Sequence, residues 1–349
     1  MKLRAPIPLL SVLLSAAILS GVPVRAQEDP TLDANRRVFS DVGPGFRAVR
    51  RGPDGSYYVL VTPTTPNSAK FSRFSKPAPA GISTVIVFDS QGRKLRQIPA
   101  RPRPGELVFP SSLDLDASGR VYIADQSGNA VSVYTPEGTL FAHIRVPEPI
   151  QIVALPGDQF AVCSATSERL IAIYDLHGTL LREFGEPADL SDDAELNHRL
   201  NIGHLAADKA GNLYFAFQYV PEPTVRKYDP ATGYLLDELA LLTLELQPMA
   251  QSARQEIARA RSGKAALPHE IISGFGVDPE TQEFWLALGN LLMHFDNTDT
   301  NTASNRVYTT RDARMVPNFI LVEKTDLFLG NDPLGIYEFP RSSGKVRRP

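Results

Sequence analysis

One cysteine, Cys163, occurs in 349 residues. No intrachain disulfide is possible, so the fold must hold by burial alone. Cys163 sits in an apolar run, which suits an inert buried thiol. Long hydrophobic runs are also missing. Beyond the N-terminus, no stretch stays apolar for the roughly 18 residues that a membrane-spanning helix needs. Positive charge is not in excess, since the formal net charge is −3, and this argues against nucleic acid as a partner. GxSxG elbows, phosphate-loop glycines, dinucleotide fingerprints, HExxH and paired-cysteine spacings do not occur, so covalent serine hydrolysis, nucleotide use and the common zinc motifs have no support.

The N-terminus carries Lys2 and Arg4, then an apolar run from Ile7 to Leu19, then Val24-Arg25-Ala26. A basic start, a short apolar stretch and small or apolar residues before a cleavage point are the parts of a secretory signal peptide. Residues 1–26 read as that signal, the mature chain as beginning near Gln27, and the protein as periplasmic or secreted. No cysteine stands at the cleavage point, which argues against a lipoprotein. Cleavage removes Lys2, Arg4 and Arg25 but no acid, so the charge moves from −3 to −6 over the remaining 323 residues. A chain of that size can bury about 75% of its unfolded surface and needs no staple.

The stretch Phe109 to Ile144 sets the pattern for the rest. It reads as four short strands separated by three turns. Turns suited to a first hairpin recur at Pro53-Asp54-Gly55, Ala117-Ser118-Gly119, Pro156-Gly157-Asp158, Lys209-Ala210-Gly211, Pro279-Glu280-Thr281 and Glu323-Lys324-Thr325. A second series lies at Ser90-Gln91-Gly92, Pro136-Glu137-Gly138, Leu176-His177-Gly178 and Ala231-Thr232-Gly233, with a longer polar version from Asn297 to Ser304. Repeats of about 40 residues with four strands each are the signature of propeller blades. The expected fold is all-β, a six-bladed propeller over residues 27–340, with 341–349 as a disordered basic tail. The last unit lacks a fourth strand, and the short candidate at Arg36 to Phe39 is placed to supply it and close the ring.

The segment Asp116-x-x-Gly119-x-Val121-Tyr122-Ile123-Ala124-Asp125, with Asn129 and Gly138 after it, resembles an NHL repeat. The chain as a whole resembles NHL-like propellers and the related TolB-like and lactonase-like rings. The resemblance implies a six-bladed fold. It implies function only broadly, because such rings include binding scaffolds, lactonases and lyases.

In such a ring the first and third turns of each blade share one face. The long segments Thr62–Gly81, Pro99–Glu106, Gly185–Arg199 and Ala240–Glu270 fall on the other, which is therefore the expected functional face. The last contains a helical pattern with Pro248 in its first turn, Gly263 past its end, and Met249, Ala253, Ile257 and Ala260 on one side. A short helical insertion between blades 4 and 5 is expected at about 240–270.

Inner strands start on the elaborated face, so polar residues at their starts are site candidates: Arg47, Ser111, Ser112, Gln151, His204, Ser273 and Asn318. Ends of second strands add Asp125, Gln126, Gln218, Asn290, Asn331 and Asp332. Asp125 is the repeat's own aspartate, which anchors loops through backbone hydrogen bonds, and Asp332 is its counterpart in the last blade. No cofactor is predicted. A divalent metal would draw on His204, His269 and Asn318, because the lactonase-like calcium set departs here: Glu270, the only glutamate beside an inner-strand start, falls in a crossover. The expected role is a binding propeller, monomeric, recognising a protein or a small extracellular ligand. The alternative is a metal-assisted hydrolase or lyase at the channel mouth.

Overall fold

The structure is a computed structural model that describes residues 31–63, 81–263, 267–296, 298, 305–310 and 315–341, with Glu245 and 305–310 described as backbone only. The signal segment, most of the Thr62–Gly81 and Asn297–Ser304 loops, and the basic tail after Arg341 lie outside the described residues.

Six antiparallel sheets follow one another along the chain. Blade 1 comprises Phe46–Arg51, Tyr57–Val61, Thr84–Phe88 and Lys94–Ile98. Blade 2 comprises Pro110–Leu115, Val121–Asp125, Ala130–Tyr134 and Leu140–Arg145. Blade 3 comprises Pro149–Leu155, Gln159–Ser164, Ile171–Asp175 and Leu180–Phe184. Blade 4 comprises Gly203–Ala207, Leu213–Phe217, Thr224–Tyr228 and Leu235–Ala240. Blade 5 comprises Gly274–Val277, Phe284–Leu288, Leu291–Phe295 and Asn305–Thr310. Blade 6 comprises Phe319–Val322, Asp326–Asn331 and Gly335–Pro340, completed by Arg36–Val38. The first strand of every blade lines a common central space. The chain is a six-bladed β-propeller.

The tight turns have a repeated physical basis. Asp116 Oδ1 accepts hydrogen bonds from the amides of Ser118 (2.9 Å) and Arg120 (3.0 Å), replacing backbone partners that the turn cannot supply. Gly119 then takes φ +82°, a conformation costly for any residue with a Cβ. Asp89 and Asp175 cap the outer turns of blades 1 and 3 in the same way.

The core is divided among the blade interfaces instead of lying at the centre. In Val121–Asp125 every residue is buried. Val121 and Ile123 pack against blade 1, and Tyr122 and Ala124 against blade 3. Alternation of side chains across a pleated strand therefore assigns each strand to two interfaces at once. Burial of one such aliphatic side chain is worth roughly 1.5–3 kcal/mol.

Ring closure follows the expectation and adds to it. Arg36–Val38 pairs antiparallel with blade 6, matching Arg36 with Glu338 and Val38 with Ile336. Just before it, Thr31–Leu32 pairs in parallel with the outermost strand of blade 5. Leu32 is buried among Trp285, Met315 and Phe339. One N-terminal segment thus latches two blades.

The expected helix is α2 (Gln247–Arg261), between blades 4 and 5, with Pro248 in its first turn. Its buried side is Ala250, Ala253, Ile257 and Ala260, while Met249 is only partly buried. A further helix, α1 (Ala194–Leu200), lies between blades 3 and 4, where the sequence reading expects only a long connection. Asp193 caps it by accepting from the Leu196 amide at 3.1 Å. The two helices meet: Leu196 and Leu200 pack with Ile257, Ala260 and Tyr219. No helix among the described residues is long and apolar enough to cross a membrane.

Candidate functional site

Most of the candidate residues at the starts of the inner strands make a local contact, some within their blade and some to the next. Ser112 Oγ lies 3.3 Å from Gln151 Oε1, joining blades 2 and 3. Ser111 donates to the Ile150 carbonyl at 2.8 Å. In blade 4, His204 Nε2 lies 3.1 Å from the Ile272 carbonyl. A carbonyl only accepts, so this nitrogen carries the proton. Burial, with the charge of Arg50 adding to it, pushes the His204 imidazole down to about 4. Ser273 Oγ reaches the Ala287 carbonyl at 3.4 Å within its own blade. Asn318 Nδ2 lies 3.4 Å from the Phe46 carbonyl, and the Asp332 amide lies 3.4 Å from Asn318 Oδ1.

Asp125 does what the repeat pattern implies. Its carboxylate accepts from the amides of Val108 (2.6 Å), Phe109 (2.7 Å) and Gly128 (3.0 Å). Asp332 differs from it by reaching into the next blade, where Oδ1 accepts from the Gly45 amide at 2.8 Å.

Arg47 has no such partner among the described residues. Its Nε is buried without a hydrogen bond, and the guanidinium lies over the Phe109 ring, 5.2 Å from the centroid. Burial pulls the Arg47 pKa down, against the opposing charges of Asp332 and Glu270. Neither carboxylate makes an ion pair with it among the described residues.

Glu270, which the sequence reading discounted as a crossover residue, is the acidic member of this mouth. Its residue surface is exposed, while desolvation pushes its carboxyl upward and the charge of Arg47 opposes that shift. The neighbouring residues are fixed on both sides. The His269 amide and Nδ1 lie 2.8 and 3.0 Å from Glu256 Oε2 on α2, and the Ile271 amide donates to the Gln218 carbonyl at 2.6 Å. Tyr219 stands close enough for Glu270 to help raise its phenol pKa.

Each member of the proposed metal set makes hydrogen bonds to other protein groups. His204 is engaged with Ile272, His269 with Glu256, and Asn318 with Phe46 and Asp332. Among the described residues no three His, Cys, Asp or Glu side chains gather where they could hold an ion.

A cavity opens on the opposite, tight-turn face. It measures about 1060 Å³ and is lined by residues of all six inner strands, among them Arg50, Asp114, Leu205 and Ile320. Its charges are mostly matched within the protein. Arg50 lies 3.4 Å from Asp114, whose carboxyl is raised by burial, and Arg51 lies 2.6 Å from Glu323. Arg341 holds both Asp278 and Glu283. Volume favours this end of the channel, whereas unmatched charge favours the other. Unmatched charge is the better guide to a polar ligand, because a paired guanidinium has to be freed before it can bind one.

No family model matches the chain, and no curated protein does. Solved structures do. A streptogramin B lyase superposes with a TM-score of 0.52 at 13% identity, over 85% of this chain and 93% of that one. Virginiamycin B lyase from Staphylococcus aureus, in a catalytically inactive form with quinupristin, gives 0.53 at 11% identity over 88% and 98%. The β-propeller domain of Swd1 from Myceliophteria thermophila gives 0.52 at 11% identity over 89% and 100%. At such identities the likeness concerns the fold and not the chemistry.

Proposed function

We propose that this protein is an exported binding propeller that recognises its ligand through the face bearing α1, α2 and the channel mouth at Arg47. The observation that carries the reading is the packing of α1 against α2 on the elaborated face, where Arg47 also starts an inner strand with its Nε making no hydrogen bond among the described residues. Tight turns and matched charges mark the other face as scaffold. Export is supported by the charged, apolar and small-residue sequence of residues 1–26. N-terminal sequencing of protein recovered outside the cytoplasm should begin near Gln27.

The test is a thermal-shift screen of small acids, amines and sugars, with each hit mapped by amide hydrogen exchange. Protection of α2 and Ile271–Gly274 supports the reading. Hits that protect only the turns around Asp54, Gly119 and Glu280 overturn it.

A catalytic reading of the same face draws on the Glu270 carboxyl, which desolvation pushes up to about 7 against the charge of Arg47. That is the range in which a side chain can both give and take a proton. Turnover of any screened compound that disappears in Glu270→Gln while binding persists would favour it.

A further inference from the structure

The turns of the tight-turn face are scaffold, but they surround the open end of the central channel. The cavity there, about 1060 Å³, is large enough for a small molecule, whose sites run from about 300 to about 1,000 Å³. Its charge is balanced within the protein. Each acid in the lining has an ion-pair partner: Asp114 in Arg50, Glu323 in Arg51, Asp278 in Arg341 and Glu280 in Lys209. Lys324 is the one lining cation without an ion pair among the described residues, and it sits exposed on the first turn of blade 6. Inward of the turns the cavity has two unlike sides. Blades 1 and 2 supply Arg50 and Asp114, whereas blades 4, 5 and 6 supply Leu205, Phe275 and Ile320, each from a different inter-blade cluster.

The Arg50–Asp114 pair is held in place and still has a donor to offer. Asp114 Oδ2 accepts from the Ala154 amide of blade 3 at 2.8 Å. Arg50 Nε lies 3.4 Å from Asp114 Oδ1, and Nη1 donates to the Val49 carbonyl at 3.0 Å. Nη2 makes no hydrogen bond among the described residues and is not among the buried atoms, and 23% of the Arg50 side-chain surface stays open.

We propose that this cavity is a second binding site, for an uncharged, largely apolar small molecule bearing a carbonyl oxygen, with its body against Leu205, Phe275 and Ile320 and its oxygen accepting from Arg50. The site goes beyond the elaborated face and does not depend on it. Charge decides the class of ligand. An ion entering the cavity has to break one of the existing pairs or lose its water without gaining a counter-charge, and either is costly. A neutral molecule leaves every pair intact. Its affinity comes from apolar surface removed from water along blades 4, 5 and 6. Its orientation comes from the carbonyl, which meets a charged donor that Asp114 does not use.

The experiment uses benzophenone, an uncharged ketone that on irradiation joins to a neighbouring C–H carbon and so records where it was bound. Diphenylmethane, which lacks the oxygen, and 4-benzoylbenzoate, which adds a negative charge, are its comparisons. Benzophenone should label the mature protein saturably, in peptides that contain Leu205, Phe275 or Ile320. By equilibrium dialysis it should bind roughly tenfold more tightly than diphenylmethane, and no less tightly than 4-benzoylbenzoate. Arg50→Met should erase the preference for benzophenone over diphenylmethane. Asp114→Asn keeps an acceptor for the Ala154 amide and releases the Arg50 charge. It should raise 4-benzoylbenzoate affinity about tenfold while leaving benzophenone within about twofold. Should Arg50→Met unfold, the Asp114→Asn comparison decides alone. Equal affinity for benzophenone and diphenylmethane, tighter binding of 4-benzoylbenzoate by the wild type, no gain for 4-benzoylbenzoate in Asp114→Asn, or no saturable labelling up to the solubility limit overturns the site. Labelling of α1 or α2 in place of the inner strands overturns it too, and assigns the neutral ligand to the elaborated face.

Discussion

The Gly45 amide donates to Asp332 Oδ1 at 2.8 Å, so the residue that leads into blade 1 is held by the end of a strand in blade 6. Gly45 takes φ +98°, and a Cβ there would come within 2.4 Å of the Thr62 carbonyl oxygen. Asp332→Ala should cost about 1–3 kcal/mol, because it leaves a part-buried amide without its charged acceptor. Gly45→Ala should cost more, since it adds a steric clash to an unfavourable backbone angle. Denaturant midpoints of the two variants test the order.

Leu32 should contribute more than its position near a chain end suggests. It is 1% exposed, in the interface between blades 5 and 6. Leu32→Ala should destabilise by about 2–5 kcal/mol. An N-terminal truncation that removes Thr31–Leu32 but keeps Arg36–Val38 should lose most of that amount, whereas loss of only the blade 6 pairing would leave it intact.

His204 and Glu270 should give opposing pH dependences in one window. The His204 imidazole titrates near 4 in the folded chain and near 6.5 when free, so the unfolded state takes up its proton first and stability falls as pH drops from 6.5 to 4. The full effect is on the order of 3 kcal/mol. The Glu270 carboxyl titrates near 7 when folded and near 4.5 when free, so the folded state is protonated first and stability rises as pH drops through that interval. Because the two terms offset each other between pH 6.5 and 4.5, Glu270→Gln should uncover a loss of stability as pH falls through that window, and His204→Gln a gain. Unfolding free energies at half-unit steps of pH check both signs.

Arg341 is a stabilising residue at the edge of the described chain. It bridges Asp278 and Glu283 of blade 5 from the end of blade 6, with its own amide bonded to the Thr325 carbonyl at 2.8 Å. Ending the chain at Pro340 instead of Arg341 should cost about 1–3 kcal/mol, because the poorly exposed Asp278 carboxylate loses its charged partner.

Cys163 should not react with thiol reagents in the native protein. It is 1% exposed, and burial pushes its thiol up to about 12. Its labelling rate should follow global unfolding across a denaturant series. Fast labelling in native buffer would show that blade 3 opens locally.

The blade count, the turn positions and the closing strand at Arg36–Val38 were legible because each depends on neighbours in sequence. An aspartate capping an amide two residues on, or strand alternation of period two, is a local rule. α1 was missed although Asp193 and the Leu196–Leu200 spacing were in plain view, because seven residues give too short a pattern to separate from loop. Met249 was assigned to the buried side of α2, where Ala250 lies deeper, because helical spacing fixes a stripe only to within one position.

At the channel mouth the sequence identified Arg47 as a candidate but could not show that its Nε is left without a hydrogen bond among the described residues. Ser112, Gln151, His204, Ser273 and Asn318 are the same kind of residue at the same kind of position, and each finds a neighbour. Hydrogen-bond satisfaction depends on groups from other blades, which no local pattern specifies. The sequence by itself determined a ring of six four-stranded blades, since repeat length and turn chemistry are carried along the chain. Only the tertiary structure decided that Arg47 lies within electrostatic reach of Glu270 and Asp332, because that proximity comes from closing the ring, and charge acts through space and not through sequence.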